Sequence, residues 1–472
     1  MMTTIREIKK SGRLKMGLSA SPFLIALAPA LGGFLFGYDT AVISGTIEQV
    51  RNKFALTPVY EGWFVSSGLL GCIMGVLLAG FLSNTLGRKN VLVLAGITFL
   101  FSAIGCAFAE SKEILVLGRM IGGIGVGIAS VVAPMYISEF APAAKRGMLV
   151  ALYQLAITLG IFMAYLVNAG IAASAEANAE ATGWQEVLFS RETWRGMFLM
   201  MAVPTVLFIV ILAFIPESIR YLLKVGKTIE ARNILFRTRS KASAEQEWEA
   251  LHAYQGTGAA APTAGFWKRM RFPLLVGILL ALFQQFSGIN AIIYYGPEIF
   301  RKAGVASDNA LFFQSIVGGV NVLFTFVAIR KADKAGRRPL LLWGLTGLVV
   351  SLFLIGWIFN AAAVPGYVLL CCMLAFIACF ALSLGPVTWI LINEIFPSAY
   401  RVQGVTICTL AVWLAVGLLG QFFPMMLETF GTANTFWIFA GSCLLHLLFS
   451  YKYIPETKGK QLEEIEHIMV SH

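Results

Sequence analysis

The chain has 472 residues, of which 58% are hydrophobic and only 13% charged, and its mean hydropathy is +0.77. A soluble domain would carry about a quarter charged residues, so these totals exclude a soluble globular protein and make the bilayer the solvent for most of the chain. The net charge of +11 raises nucleic acid as a partner, but the placement of the charges argues against it. The seven cysteines (72, 106, 371, 372, 379, 408 and 443) lie mostly within apolar runs, have no metal-ligand spacing and are accompanied by only four histidines. They read as packing residues, and no metal or other cofactor is expected.

The first ~20 residues are basic and lack a cleavable signal pattern, so they read as a cytoplasmic lead-in. Apolar runs then begin near residues 22, 62, 90, 114, 147 and 195 and, after a polar interval, near 272, 309, 339, 365, 402 and 433. Only helices or closed barrels satisfy the backbone in lipid, and runs this long mean helices. The expected fold is an all-α membrane protein with twelve transmembrane helices in two six-helix bundles, residues 1–216 and 271–455. A cytoplasmic linker of short amphipathic helices (217–270) joins them, and a tail follows (456–472).

Lysine and arginine set the orientation. Arg6, Lys9, Lys10, Arg13 and Lys15 precede the first span, and Arg88, Lys89, Lys145 and Arg146 fall on the same side. So do Arg330, Lys331, Lys334, Arg337 and Arg338, whereas Glu110, Glu113, Glu176, Glu180, Glu186 and Glu192 mark the opposite loops. The positive-inside rule then places both termini in the cytoplasm, and the net charge is topological.

The first span contains "FLFGYDTAVISG", with Asp39 roughly 12 Å from its outer end. Arg119, in "LGRMIGGIG" of the fourth span, lies about 8 Å deep from the same side. An acid in lipid is a functional hypothesis by default. Facing Arg119 it stays ionised; separated from it in an apolar interior it takes up a proton. A fixed structural ion pair is the alternative. Glycines 122, 123, 125 and 127 let the fourth helix approach a neighbour closely. In the fifth span Gln154 and Thr158 share a face, which Ile161 continues. The polar interval contains Tyr221, Leu222, Ile229, Ile234, Leu235 and Trp248 among charges, as amphipathic helices on a membrane face would, and "GTGAAAPTAG" reads as flexible chain.

The seventh span contains "LFQQFSGIN". Gln284 lies about 20 Å in, near the midplane, where transporter sites form between repeats. In an unbroken helix Gln284 and Asn290 point about 240° apart. Gly288 between them allows a break that brings Asn290 round to the same cavity. Amides both donate and accept, which suits a neutral polyol. Interhelical hydrogen bonding is the alternative.

The two halves repeat. "LGRKN" at 86 is matched by "AGRRP" at 335, "SEFAPAAKRG" at 138 by "NEIFPSAYRVQG" at 393, and "PESIR" at 216 by "PETKG" at 455. Glu139 precedes Arg146 by seven residues, and Glu394 precedes Arg401 by the same seven. Three pairs in order indicate a duplicated six-helix unit. Arg88, Glu139 and Arg146, with Arg337, Glu394 and Arg401, are therefore expected to form a lock at the cytoplasmic ends of the helices, closed when the inside is shut. Ordinary topology-setting loop charges are the alternative.

Along its whole length, from "GGFLFGYDTAVISGT" to "PETKGKQLEEIE", the chain resembles the sugar porter branch of the major facilitator superfamily. "GRMIGGIGVGIASVVAPMYISEFAP", "FQQFSGINAIIYYGPEIF", "DKAGRRP" and "GPVTWILINEIFPSAYR" carry the resemblance. It implies that Gln154, Gln284, Gln285 and Asn290 bind sugar hydroxyls and that Trp389, Trp413 and Phe36 line the site. It also implies proton coupling, since proton-coupled members carry an acid at the position of Asp39 and facilitative relatives commonly carry Asn. There are three departures. Asn84 stands where most members have Asp, while Val412 and Ile161 stand where a proton-coupled xylose carrier of the family has Gln. Each of these last two removes a polar partner worth on the order of 1 kcal/mol, so the sugar remains open among D-xylose, D-glucose and related aldoses.

The resemblance thus implies a proton-coupled importer of a neutral monosaccharide working by alternating access. It would be a monomer, multi-pass in the bacterial inner membrane, without enzyme activity and without nucleic acid as a partner. A facilitative uniporter is the first rival, and a non-transporting sugar sensor the second.

Overall fold

A computed structural model of the chain describes residues 22–141, 146–177, 183–239, 241–255, 266–361, 365–396 and 400–458. Among these, twelve helices are long and apolar enough to cross a membrane. The first six are α1 (Pro22–Phe54), α2 (Pro58–Leu86), α3 (Arg88–Ala107), α4 (Lys112–Phe140), α5 (Arg146–Ala177) and α6 (Thr193–Phe214, with a turn at Met201). The second six begin with a split helix, α7a (Phe266–Gln285) and α7b (Ile289–Lys302), followed by α8 (Ser307–Ala335) and α9 (Arg337–Asn360). Then come a second split helix, α10a (Gly366–Leu382) and α10b (Leu384–Glu394), then α11 (Arg401–Thr429) and α12 (Thr432–Tyr453). Between the sets lie shorter helices at Ile219–Lys224, Thr228–Thr238 and Lys241–Gln255. The end of the bundle on which they sit is called here the linker end, and the other the far end.

Large apolar side chains point outward along the spans, including Leu77, Phe81, Phe101 and Trp343, the last 78% exposed. In water such a surface would aggregate; in lipid it is solvated. Polar caps start helices where the chain turns. Thr57 accepts from the Tyr60 N–H, with Pro58 in the first turn, and Ser111 accepts from the Ile114 N–H. Each satisfies one of the orphaned N–H groups of a helix start.

The glycines of α4 divide between two neighbours. Gly123 and Gly127 meet α2 backbone to backbone: a methyl at Gly123 would sit 1.8 Å from the Gly68 carbonyl oxygen. Gly122 and Gly125 face Ser102 and Thr98 of α3. Helices this close are held by dispersion where lipid offers no hydrophobic drive.

The sequence repeat has a structural counterpart at the linker end. Gly87 (φ +92°) and Gly336 (φ +88°) turn the chain into α3 and α9. Glu217 accepts from the N–H groups of Arg88 and Lys89, and Glu456 from those of Arg337 and Arg338. The acids of "PESIR" and "PETKG" thus sit at two helix N-termini, where a carboxylate meets both open donors and the positive end of the dipole.

The basic lead-in, Lys145, the "GTGAAAPTAG" segment and the end of the tail lie outside the described residues. Arg146 begins α5, but its side chain is outside them too.

Candidate functional site

The seventh span breaks at its glycine. Gly288 has φ +84° and separates α7a from α7b. A larger residue there would be strained, and its Cβ would also sit 2.7 Å from the Phe439 ring. The break lets three amides form a chain. Asn290 Nδ2 donates to Gln285 Oε1 at 2.6 Å, and Gln285 Nε2 donates to Gln284 Oε1 at 3.3 Å. Gln284 Nε2 in turn donates to the Leu384 carbonyl at 2.9 Å. That carbonyl belongs to the first residue of α10b, beside the second helix break at Ser383. Interhelical bonding, the alternative weighed from the sequence, therefore accounts for one end of the chain. Asn290 at the other end is only half-buried, whereas Gln284 and Gln285 are buried.

Asp39 of α1 and Arg119 of α4, at similar depths by helix rise, meet in the structure. Arg119 Nη1 donates to Asp39 Oδ1 at 2.8 Å and to the Asp39 carbonyl at 3.2 Å, and both side chains are about 95% buried. Glycines make the room: a Cβ at Gly68 would lie 3.1 Å from Arg119 Nη2, and one at Gly122 3.3 Å from Asp39 Oδ1. A buried pair of this kind is costly to break by removing one partner, because the other charge is left desolvated.

One turn from Asp39, Phe36 packs against Trp413 of α11 with ring centroids 5.5 Å apart. This contact crosses between the halves, and Val412 beside Trp413 is 6% exposed. Ile161 is buried where α1 and α5 touch: a Cβ on Gly37 would come within 3.0 Å of its backbone nitrogen. Gln154 on α5 and Trp389 on α10b are half-buried, and neither bonds to the amide chain. Thr158 turns its hydroxyl back to the Leu155 carbonyl.

At the linker end Arg88 pairs with Glu139 at 3.2 Å and Arg337 with Glu394 at 3.4 Å. Both pairs stay within one half, so in this conformation they brace each bundle instead of joining the two. Ser218 also bonds Glu139, and Arg88 Nη1 donates to the Ser83 carbonyl. Arg401 stands half-buried at the start of α11. Asn84, the departure from the family pattern, accepts from Lys224 of the linker at 3.1 Å.

The bonds that tie one half to the other cluster at the far end, which the sequence reading did not single out. Arg51 of α1 reaches both Glu61 of α2 and Glu298 of α7b at 3.3 Å, and Arg301 of α7b reaches Glu48 of α1 at 3.0 Å. Gln421 of α11 accepts from Ser66 and donates to the Val59 carbonyl, and Tyr165 donates to the Ile293 carbonyl. The signal was present in the sequence as five charged residues at the ends of otherwise apolar runs.

Two broken helices at the midplane of a duplicated twelve-helix bundle define a membrane transporter. The chain belongs to the family described as "Sugar (and other) transporter", which matches residues 25–469. It is 40% identical over 449 residues to the arabinose-proton symporter of Bacillus subtilis (strain 168), covering 95% of each chain. It is 39% identical over 479 residues to the D-xylose-proton symporter of Escherichia coli (strain K12), covering 94% of this chain and 95% of that one. Among solved structures it is similar to the inward open conformation of the xylose transporter XylE from E. coli. The TM-score is 0.82 at 37% identity, covering 95% of this chain and 100% of that one. The twelve-helix major facilitator fold expected from the sequence is the fold observed.

Proposed function

We propose that the protein is a proton-coupled symporter importing a neutral monosaccharide, an aldose such as L-arabinose, D-xylose or D-glucose. The observation that carries this reading is the Asp39–Arg119 pair, a buried acid and base one turn from the Phe36–Trp413 contact between the halves. Gln284, Gln285 and Asn290, with Gln154, meet sugar hydroxyls, while Trp389, Trp413 and Phe36 pack the apolar face of the ring. Val412 and Ile161 set selectivity by withholding hydrogen bonds.

The units 1–216 and 271–455 rock about this midplane site, joined by 217–270. The linker end and both termini, including the tail 456–472, face the cytoplasm of a bacterium, with the protein in its inner membrane as a monomer. The far-end bonds then close the outside, and the conformation described faces inward. When the inside shuts, Arg88, Glu139 and Arg146 meet Arg337, Glu394 and Arg401 across the two bundles. The protein carries out no enzyme chemistry and uses no cofactor. The relatives' names support sugar and proton as cargo, and the Gln284–Asn290 amides support a neutral one.

The test is uptake into proteoliposomes. An imposed inward proton gradient drives sugar above its external concentration in the wild type and fails to do so in Asp39→Asn. Equilibration with no response to the gradient makes the protein a uniporter.

A further inference from the structure

A crevice opens on the outer face of the second half, between α9 and α12. Its volume is about 370 Å³, within the range of small-molecule sites. Val350, Phe353 and Leu354 of α9 form one wall, and Trp437, Gly441 and Leu444 of α12 the other. No charged side chain lines it. The one side-chain donor in the walls, the Trp437 indole N–H, is taken by the Phe353 carbonyl at 3.3 Å, and the two rings stack. Gly441 makes the opening: a Cβ there would meet nothing within 4 Å.

The crevice keeps to one leaflet. Trp437 stands about 8 Å and Leu444 about 18 Å below the far end of α12, and Leu354 and Val350 lie about 9 and 15 Å below that of α9. Half of a bilayer's hydrocarbon is roughly 15 Å thick. Toward the linker end the same two helix faces change character. Trp343, seven residues before Val350, and Tyr451, seven after Leu444, project outward and are exposed.

We infer that this crevice binds one acyl chain of a phospholipid from the leaflet at the far end. A chain entering from headgroup level runs down the groove and ends near the midplane, as the groove does. A helix of a second copy would cross both leaflets and meet Trp343 and Tyr451. Lipid tails are as apolar as leucine, so escape from water drives nothing here. The gain is dispersion, because a groove left unfilled has no partner atoms along one side. With no free donor and no charge in the walls, the chain is recognised and the headgroup is not. The site also stands behind the sugar path. Phe439, next to Ala440 of the crevice wall, packs on the opposite side of α12 against Gly288, where a Cβ would lie 2.7 Å from its ring. A bound chain therefore braces α12 from outside, at the level of the break in the seventh span. This brace, unlike the site itself, rests on the transport reading above.

The experiment is native mass spectrometry of the full-length protein, purified in detergent and titrated with palmitoyl-oleoyl phosphatidylglycerol or, separately, palmitoyl-oleoyl phosphatidylethanolamine. The expected result is one tightly held lipid, with equal affinity for either headgroup, weakened about tenfold in Gly441→Phe, whose ring fills the crevice. Trp437 reports the position: lipid brominated in mid-chain quenches wild-type fluorescence until one lipid is bound per protein, and Trp437→Phe removes the quenched component. If Gly441→Phe does not fold, Leu354→Trp, which narrows the crevice from the α9 side, replaces it. Unchanged lipid affinity in the filled variant overturns the inference, as does a tenfold preference for one headgroup. Two copies in the wild type and one in Gly441→Phe would also overturn it and make the face a dimer contact. The brace is read as exchange of labelled D-xylose and L-arabinose in proteoliposomes. Exchange is expected to be about threefold slower in dilauroyl than in palmitoyl-oleoyl bilayers for the wild type, and equal in both for Gly441→Phe. Equal slowing in the two proteins overturns the brace. A wild type that holds the lipid but exchanges neither sugar overturns the transport reading and leaves the site standing.

Discussion

Arg51 and Glu298 join α1 of one half to α7b, the second piece of the split helix, in the other. Nη1 and Nη2 of Arg51 reach the two carboxylate oxygens of Glu298 at 3.3 and 3.4 Å. Two parallel bonds fix a planar geometry that a lysine cannot supply. Glu61 and Glu298 share this arginine, and Glu298 keeps a second partner in Arg301, so loss of Arg51 takes the arginine from Glu61 beside another acid.

Removing the arginine is therefore expected to open the far end. The side chain is about a third exposed, which screens the pair and holds the expected shift to about 1 kcal/mol, roughly fivefold in population. Arg51→Ala with Ser66→Cys is expected to label with a membrane-impermeant thiol reagent about fivefold faster than Ser66→Cys alone. Equal labelling would show that the remaining far-end bonds, Glu48–Arg301 and Gln421–Val59, with the contacts of α2 and α11, hold the far end shut without Arg51.

The acids that cap α3 and α9 are expected to act alike. Glu217→Ala and Glu456→Ala each remove a carboxylate from a helix N-terminus, a loss of about 1 kcal/mol. The two sites are in separate halves, so the double variant should lose the sum. Thermal unfolding in detergent measures this, and a double variant no worse than either single one would contradict it.

Acid should weaken two anchors outside the spans. Burial works against ionisation of Glu456, but the N–H groups of Lys458, Arg337, Arg338 and Thr457 outweigh it and hold the carboxyl below its usual range. Glu192 is likewise opposed by burial and held low by Lys53 and Arg195. A lowered carboxyl in the folded state stabilises it above the unfolded value, about pH 4.3 to 4.5, and that contribution is lost as pH falls through the folded value. The unfolding temperature should drop as pH falls below about 4.5, and less so in Glu456→Gln. An equal drop in the variant would assign the acid sensitivity elsewhere.

Selectivity should respond to restored amides. Val412→Gln and Ile161→Gln each offer a sugar hydroxyl a partner worth on the order of 1 kcal/mol, about fivefold in affinity. Competition between D-xylose and D-glucose for uptake reads the change. An unaltered ratio in both variants would place these positions outside the sugar's reach.

Much of this was written in local chemistry. The apolar runs gave the spans, because lipid permits few structures, and Gly288 marked the break because only a left-handed turn brings Asn290 back to Gln285. The depths of Asp39 and Arg119 followed from helix rise alone. What escaped notice depends on contacts between distant segments. Gln284 bonds a carbonyl a hundred residues on, at a break in α10 that Gly385 and Pro386 mark locally but that nothing local links to α7a. Glu217 and Glu456 stand in a motif repeated between the halves, but their partners are backbone N–H groups, which carry no sequence signature. Of the charges expected to form a lock at the linker end, Arg88 pairs with Glu139 and Arg337 with Glu394, each within its own half, while Arg51 and Glu298 join the halves at the far end.

The most direct measurement is external pH when sugar is added to unbuffered, de-energised cells expressing the protein. Symport predicts that D-xylose, L-arabinose or D-glucose makes the medium more alkaline as protons enter with the sugar, and that Asp39→Asn abolishes the change while sugar exchange survives. Sugar entry with no change in pH would contradict the account and leave a uniporter with an inert ion pair at its core.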